Sequence, residues 1–343
     1  MENEKKLYPF RFVPQDEGQS RVQVADLGYI DSEISNGWLA ADSIGDIMDT
    51  YMDRVVGDDV FAWYGRQFPL QVRTIRLEGS EPLTVSPDDV TAGQRYDFLG
   101  KCRLRYVVSA APGATLSIGF RRPVSAAELY DACLGDNAAP LLNTFAPVPG
   151  EAYLIPPGSV FSAQGPLTMV EISQCSPLDF RLTAAPSMED QQETAWSGAS
   201  PDNPPLTLAE ALDFIDLQAY KAPERASGGA GRILADTEQL RVSEISLSDP
   251  LQITSGDSFS LYSCVNGAAD IQYRDESGAT CSVPVGAGET VLVPAELESF
   301  YLVPREARTL LLESLAPARA ASDGYAPMED DATDSPDDIE YAH

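Results

Sequence analysis

Histidine is almost absent from this chain: its one example, His343, is the last residue. A frayed terminus does not hold a catalytic geometry, so no imidazole is available in a folded pocket as a base, a nucleophile's partner or a metal ligand. Basic residues are scarce as well, 23 Lys and Arg against 53 Asp and Glu, for a formal charge of −30. Such a field repels phosphate backbones and anionic lipid surfaces, so neither nucleic acid nor a membrane is an expected partner. No run approaches the roughly 18 apolar residues that a spanning helix needs, and residues 1–6 lead into no apolar signal stretch. The expected location is the cytoplasm. Cys102, Cys133, Cys175, Cys264 and Cys281 are odd in number, scattered and free of any C-x-x-C pair. They read as reduced thiols filling small apolar gaps, not as a disulfide framework or a zinc site.

What the chain does contain is enough apolar material for two cores, the expectation for 343 residues. Ile44, Ile47, Met48, Tyr51 and Val55 recur at helical spacing ahead of Gly57, which predicts one amphipathic helix over 43–56 with a glycine cap. Ser125 with Glu128 and Thr207 with Glu210 have the capping-box spacing and predict helices near 126–134 and 208–216. Most of the remainder reads as short strands between Pro and Gly: 83–85, 104–109, 115–120, 151–155, 167–173 and 180–182. Beyond small-residue stretches at 184–206 and 222–231, further strands are expected near 239–247, 258–263, 269–274, 280–284, 290–293 and 300–303. The segment PGEAYLIP at 149–156 is echoed by AGETVLVP at 287–294, one copy in each half. From Pro317 onward eight acidic residues stand against Arg319 alone, and a disordered tail is expected.

The first copy continues through Pro156, Gly158 and Phe161 in a pattern that resembles the second motif of the cupin superfamily, with Phe161 where a metal-binding histidine normally sits. Upstream, YGRQFPL at 64–70, LTVSPDD at 83–89 and GKCRLRY at 100–106 resemble successive blocks of the class I mannose-6-phosphate isomerase family. So do EISQCS at 171–176 and FRL at 180–182. The resemblance runs in order from about Tyr8 to Leu182 and thins in the second half. It implies a mainly β fold of two cupin-type β-barrel (jelly-roll) domains with a few helices attached to the first. The domains would be 1–225 and 226–316, and the acidic tail 317–343.

In that family a divalent metal, usually zinc, polarises the sugar carbonyl and hydroxyl. The resemblance places its four ligand positions at Thr84, Ser86, Arg103 and Phe161. Two hydroxyls, a guanidinium and a phenyl ring offer no imidazole, thiolate or carboxylate, so no metal cofactor is expected. Asp88, Asp89, Lys101, Glu171 and Arg181 are retained, and Asp88 with Asp89 also reads as a turn or helix start.

Alternation puts Lys101, Arg103 and Arg105 on one face of a strand and Cys102, Leu104 and Tyr106 on the other. With Arg181 they are candidates to bind a small anion or a sugar phosphate, the arginines being suited to bidentate contact. A solvated strand face, or a structural Arg103–Glu171 salt bridge, explains the same pattern. Phe161 is expected to fill the vacated metal cavity, stacking on a sugar ring being its alternative. The function these observations favour is a metal-free, catalytically silent relative that binds a sugar-derived or other small anion in its first barrel. Two alternatives stay open: an active isomerase interconverting mannose 6-phosphate and fructose 6-phosphate in carbohydrate metabolism, and an interaction or scaffold protein with a closed pocket.

Overall fold

The structure, a computed structural model, describes residues 5–182, 208–221 and 231–317. It is mainly β. The first half contributes β1 (Phe10–Arg11), β2 (Gln15–Glu17), β3 (Ser20–Val24), β4 (Leu70–Leu77), β5 (Thr84–Val85) and β6 (Arg103–Ala110). It continues with β7 (Thr115–Phe120), β8 (Leu142–Phe145), β9 (Ala152–Ile155), β10 (Phe161–Gln164), β11 (Leu167–Gln174) and β12 (Phe180–Arg181). The second half adds β13 (Arg232–Asp236), β14 (Arg241–Leu247), β15 (Leu251–Thr254), β16 (Ser260–Asn266) and β17 (Ala268–Arg274). It ends with β18 (Thr280–Gly286), β19 (Thr290–Val293), β20 (Ser299–Pro304) and β21 (Thr309–Leu315).

These strands form four antiparallel sheets, and one order of pairing occurs twice. Strands β9-β6-β11-β4-β3-β2 build a sheet in the first half, and β19-β16-β21-β14-β13 follow the same order in the second. Facing them are β12-β5-β10-β7-β8 and β15-β20-β17-β18. The echoed octapeptides become β9 and β19, each entered through a glycine at positive φ, Gly150 at 85° and Gly288 at 81°. Between the first pair of sheets Ile75, Val107 and Met169 meet Leu116, Ile118 and Phe161, and an equivalent core fills the second pair. The larger sheets of the two halves stand back to back: Val72, Leu104 and Ile172 share a core with Val242, Leu261 and Leu312. A buried polar chain also joins the halves, Gln23 Nε2 donating to Thr74 Oγ1 at 2.8 Å and Thr290 Oγ1 donating to Gln23 Oε1 at 2.6 Å. Strand β1 pairs with β19, Phe10 opposite Leu292, so the start of the chain completes a sheet of the second half.

The helices depart from expectation in instructive ways. The expected helix 43–56 begins as foreseen, Ser43 and Asp46 forming a capping box, but divides into α1 (Ile44–Tyr51) and α2 (Asp53–Val56). Met52 between them has φ 44°, a conformation rare for a side chain of its size. The carbonyls of α2 are taken by backbone amides of the second half, Glu296 N to Arg54 O at 3.0 Å and Ala295 N to Val55 O at 2.9 Å. Gly57 does cap this segment, and a Cβ there would lie 2.3 Å from the Asp257 carbonyl oxygen. Helix α3 (Asp58–Tyr64) follows without having been anticipated. Near 208–216 only Leu208–Ala211 is helical, because the next residues turn away and Asp216 N bonds Gly158 O at 2.9 Å. Its expected cap Thr207, the stretches 184–206 and 222–230, and the tail beyond Pro317 lie outside the described residues. Helices α4 (Asp89–Tyr96) and α5 (Ala126–Leu134) flank the first half, and α5 matches the expected span.

Candidate functional site

The inner face of β4, β11 and β6 carries charge, which sequence alternation foresaw for Arg103 and Arg105 on β6. Register sets Arg73, Glu171 and Arg105 side by side in one row and Ser173 beside Arg103 in the next. Their neighbours Val72, Ile172, Leu104 and Tyr106 point the other way into the apolar core, so the sheet is buried on both faces. Lys101, Arg103 and Arg105 are each 2% exposed and Glu171 is 1% exposed. This rejects the solvated-face explanation of the alternation. Groups so buried remain charged only with partners at hand.

Three carboxylates supply them. Glu171 lies 2.8 Å from Arg105 Nε, 3.5 Å from Arg73 Nε and 3.7 Å from Arg103 Nη1. Asp179, from the loop between β11 and β12, accepts from Lys101 Nζ at 2.9 Å, from Ser86 Oγ at 2.6 Å and from Arg103 Nη2. Glu81 takes the outer side of Arg105, with Nη1 at 2.7 Å. Beneath the arginines lies Phe161, its ring centroid 4.3 Å from the Arg103 guanidinium carbon and 4.9 Å from that of Arg105. The negative face of the ring suits both cations.

The electrostatics follow from this geometry. Burial opposes the charge on Glu171, but Arg105, Arg103 and Arg73 outweigh it and hold the carboxyl down at about 2. Asp179 likewise overcomes burial through Arg103 and Lys101 and lies well below the usual carboxylate range. For Lys101 burial wins, and the ammonium falls to about 8 although Asp179 favours its charge. Burial lowers Arg105 too, but Glu81 and Glu171 more than restore it.

All four positions assigned to the family's metal ligands converge here. Thr84 is the cross-strand partner of Phe161, Ser86 bonds Arg103, and Arg103 lies over Phe161. Thr84 Oγ1 itself donates to Pro82 O at 3.1 Å. Arg181 sits opposite Thr84 on β12 and lines the same cleft of ≈ 290 Å³. Asp88 proves to be the cap of α4, accepting from Thr91 N at 2.7 Å, and Asp89 tethers Gly100 N at 2.9 Å and Gln174 Nε2 at 2.7 Å. Gly100 is needed there, since a Cβ would come within 2.5 Å of the Asp89 backbone nitrogen. The tether sets where Lys101 and β6 begin.

Sequence reading missed Arg73, Glu81, Asp179 and, at the rim, Tyr29, which is 45% exposed. Arg73 alternates with the core residue Val72, the signal that exposed Arg103 and Arg105, but β4 itself had not been anticipated. Asp179 and Glu81 lie outside strands and carry no periodic signal. Among the described residues no group of three His, Cys, Asp or Glu gathers as a metal site would require, and Glu171 and Asp179 are both committed to cations.

No protein-family model and no curated protein matches the chain. Solved structures do. The mannose 6-phosphate isomerase from Bacillus subtilis superposes with a TM-score of 0.71 at 18% identity, covering 89% of this chain and 99% of its own. A point mutant of phosphomannose isomerase from Salmonella typhimurium gives 0.70 at 12% identity, covering 90% and 99%. A charged, aromatic-floored cleft is therefore carried on a mainly β fold similar to that of these phosphomannose isomerase structures.

Proposed function

We propose that this chain is a mannose-6-phosphate isomerase-like protein in which an ion-pair network stands where the metal centre would be. On this reading it is silent as an isomerase and binds a small sugar-derived anion in the first cleft. The observation that carries the reading is Arg103, whose guanidinium rests on Phe161 and is held by Asp179 and Ser86 amid the four ligand positions. Zinc is gripped by imidazole, thiolate or carboxylate. These positions offer none of them, and a fixed positive charge there repels a dication. The residues do not fit the metal.

The same reading extends to two cupin-type jelly-roll domains, 1–225 and 226–316, with 317–343 as an acidic tail. The strand order repeated between the halves supports it. It describes a cytoplasmic protein without nucleic-acid or membrane partners, in keeping with the charge of −30 and with the absence, among the described residues, of any helix long and apolar enough to cross a membrane.

Elemental analysis of purified protein, paired with a coupled assay for fructose 6-phosphate formation with and without added zinc, tests the proposal. No bound metal and no turnover are expected; a stoichiometric ion or zinc-dependent turnover sinks it. Retained isomerisation is the second reading, favoured by a fold likeness spanning about nine-tenths of the chain. It asks buried cations to polarise the sugar carbonyl in place of a metal, and the same assay decides it. A closed scaffold draws support from the carboxylates already paired to Lys101, Arg103 and Arg105. The ligand titrations below separate it from a binding protein.

A further inference from the structure

Beside the ion pairs, the inner face of β4, β11 and β6 holds a second polar row. Gln71 on β4 stands opposite Ser173 on β11, and Ser173 stands opposite Arg103 on β6, one step along the strands from the row of Arg73, Glu171 and Arg105. Gln71 and Ser173 are each 1% exposed. Among the described residues neither the amide oxygen nor the amide nitrogen of Gln71 has a hydrogen-bond partner, and the Ser173 hydroxyl has none. The same holds for Nε of Arg103 and Nε of Arg73, although Nη2 of Arg103 bonds Ser86 and Asp179. Buried groups of this kind have given up water without a replacement, so a ligand that supplies the missing partners recovers that cost. The row borders the cleft: Arg103 belongs to both, and the cleft is also lined by Arg73, Glu171 and Arg105 on one side of the row and by Lys101 on the other.

The unpartnered atoms also specify what they recognise. Gln71 needs a donor at its oxygen and an acceptor at its nitrogen, and the Ser173 hydroxyl serves either way. A carboxylate or a fully ionised phosphate only accepts, and it would leave the Gln71 oxygen facing lone pairs. A hydroxyl both donates and accepts. Two neighbouring hydroxyls of a polyol therefore satisfy both ends of the amide at once, and their remaining lone pairs take the arginine Nε–H groups. We propose that Gln71 and Ser173, with Nε of Arg73 and Arg103, form a hydroxyl-reading subsite at the inner end of the cleft, which takes a vicinal diol of the ligand while the anionic group stays outside it. This rests on the reading above that the cleft binds a sugar-derived anion, and it names the part of the ligand that confers specificity.

Calorimetric titration of the full chain with matched pairs tests it: mannonate against hexanoate, and mannose 6-phosphate against hexyl phosphate. Each pair shares an anionic group and a six-carbon skeleton and differs in its hydroxyls. The hydroxylated member of at least one pair is expected to bind about tenfold or more tighter than its partner. Gln71→Met, which keeps the length of the side chain and removes the amide, should bring that preference below about threefold. The variant should melt no lower than the unaltered chain, since it takes away an unpartnered buried amide. Ser173→Ala should reduce the preference in the same direction, and it decides the matter if Gln71→Met does not fold. Equal binding within both pairs overturns the subsite and leaves the cleft an anion site. Binding of none of the four ligands overturns both the subsite and the reading on which it rests. A preference that survives these substitutions in variants that melt cooperatively overturns the placement and makes the amide a structural group. The comparison among ligands on the unaltered chain needs no variant to fold.

Discussion

Arg105 and Glu171 face each other across neighbouring antiparallel strands, Nε 2.8 Å from Oε2, with both side chains shut away from solvent. Arg73 on the third strand completes the row, and Arg103 reaches the same carboxylate. One buried anion thus serves three cations.

Removing that anion without changing its shape isolates its contribution. Glu171→Gln leaves the three guanidiniums without their shared counter-charge, and the expected loss of stability is about 3–5 kcal/mol. Urea unfolding measures it. A loss under about 1 kcal/mol, the level of an exposed pair, would mean that the row does not hold the sheet together.

The same carboxylates give stability an acid limb. Glu171 is held at about 2 against an ordinary value of 4.5, and Asp179 is also depressed. Because the folded pKa lies below the unfolded one, the contribution is complete above the unfolded carboxylate range and is lost as pH falls through it toward the folded value. Stability should therefore decline between about pH 5 and about pH 2, and Glu171→Gln should show a shallower decline. Superimposable limbs for the two proteins would remove Glu171 as their source.

If Thr84, Ser86, Arg103 and Phe161 surround one point of the cleft, giving those positions donors that zinc accepts should create a metal site there. The variant Thr84→Gln, Ser86→His, Arg103→Glu and Phe161→His is expected to purify with about one zinc per chain, since it gains two imidazoles and a carboxylate. Elemental analysis reads the outcome. A folded variant without zinc contradicts the placement of the four positions.

Gly100 lets the backbone ahead of Lys101 close on the start of α4, where an added Cβ would meet the Asp88 carbonyl carbon at 2.4 Å. Gly100→Ala should cost about 1–3 kcal/mol through overpacking. It should also shift Lys101 relative to Asp179. Thermal unfolding tests the first effect, and NMR titration of the Lys101 amine, expected to move from about 8, tests the second. An unchanged melting temperature would show that the approach has slack.

Much of this was legible along the chain. The lone terminal histidine, the Lys101-Arg103-Arg105 alternation and the Ser125 cap are local facts, and local physics acts on them directly. Met52 was not legible: the spacing around it is helical, and the break coincides with the α2 carbonyls bonding amides from residues 295 and 296. Nor was the pairing of β1 with β19, which joins the start of the chain to a strand near its end.

By itself the sequence determined that imidazole is confined to residue 343 and which side chains of a strand share a face, because composition and the two-residue period of a strand need no knowledge of neighbours. Only the tertiary structure decided that the cations are paired, with Glu171, Asp179 and Glu81 arriving from two loops and another strand. Ion pairing acts over a few ångströms of space, and the register that brings such distant residues together is set by packing of whole sheets.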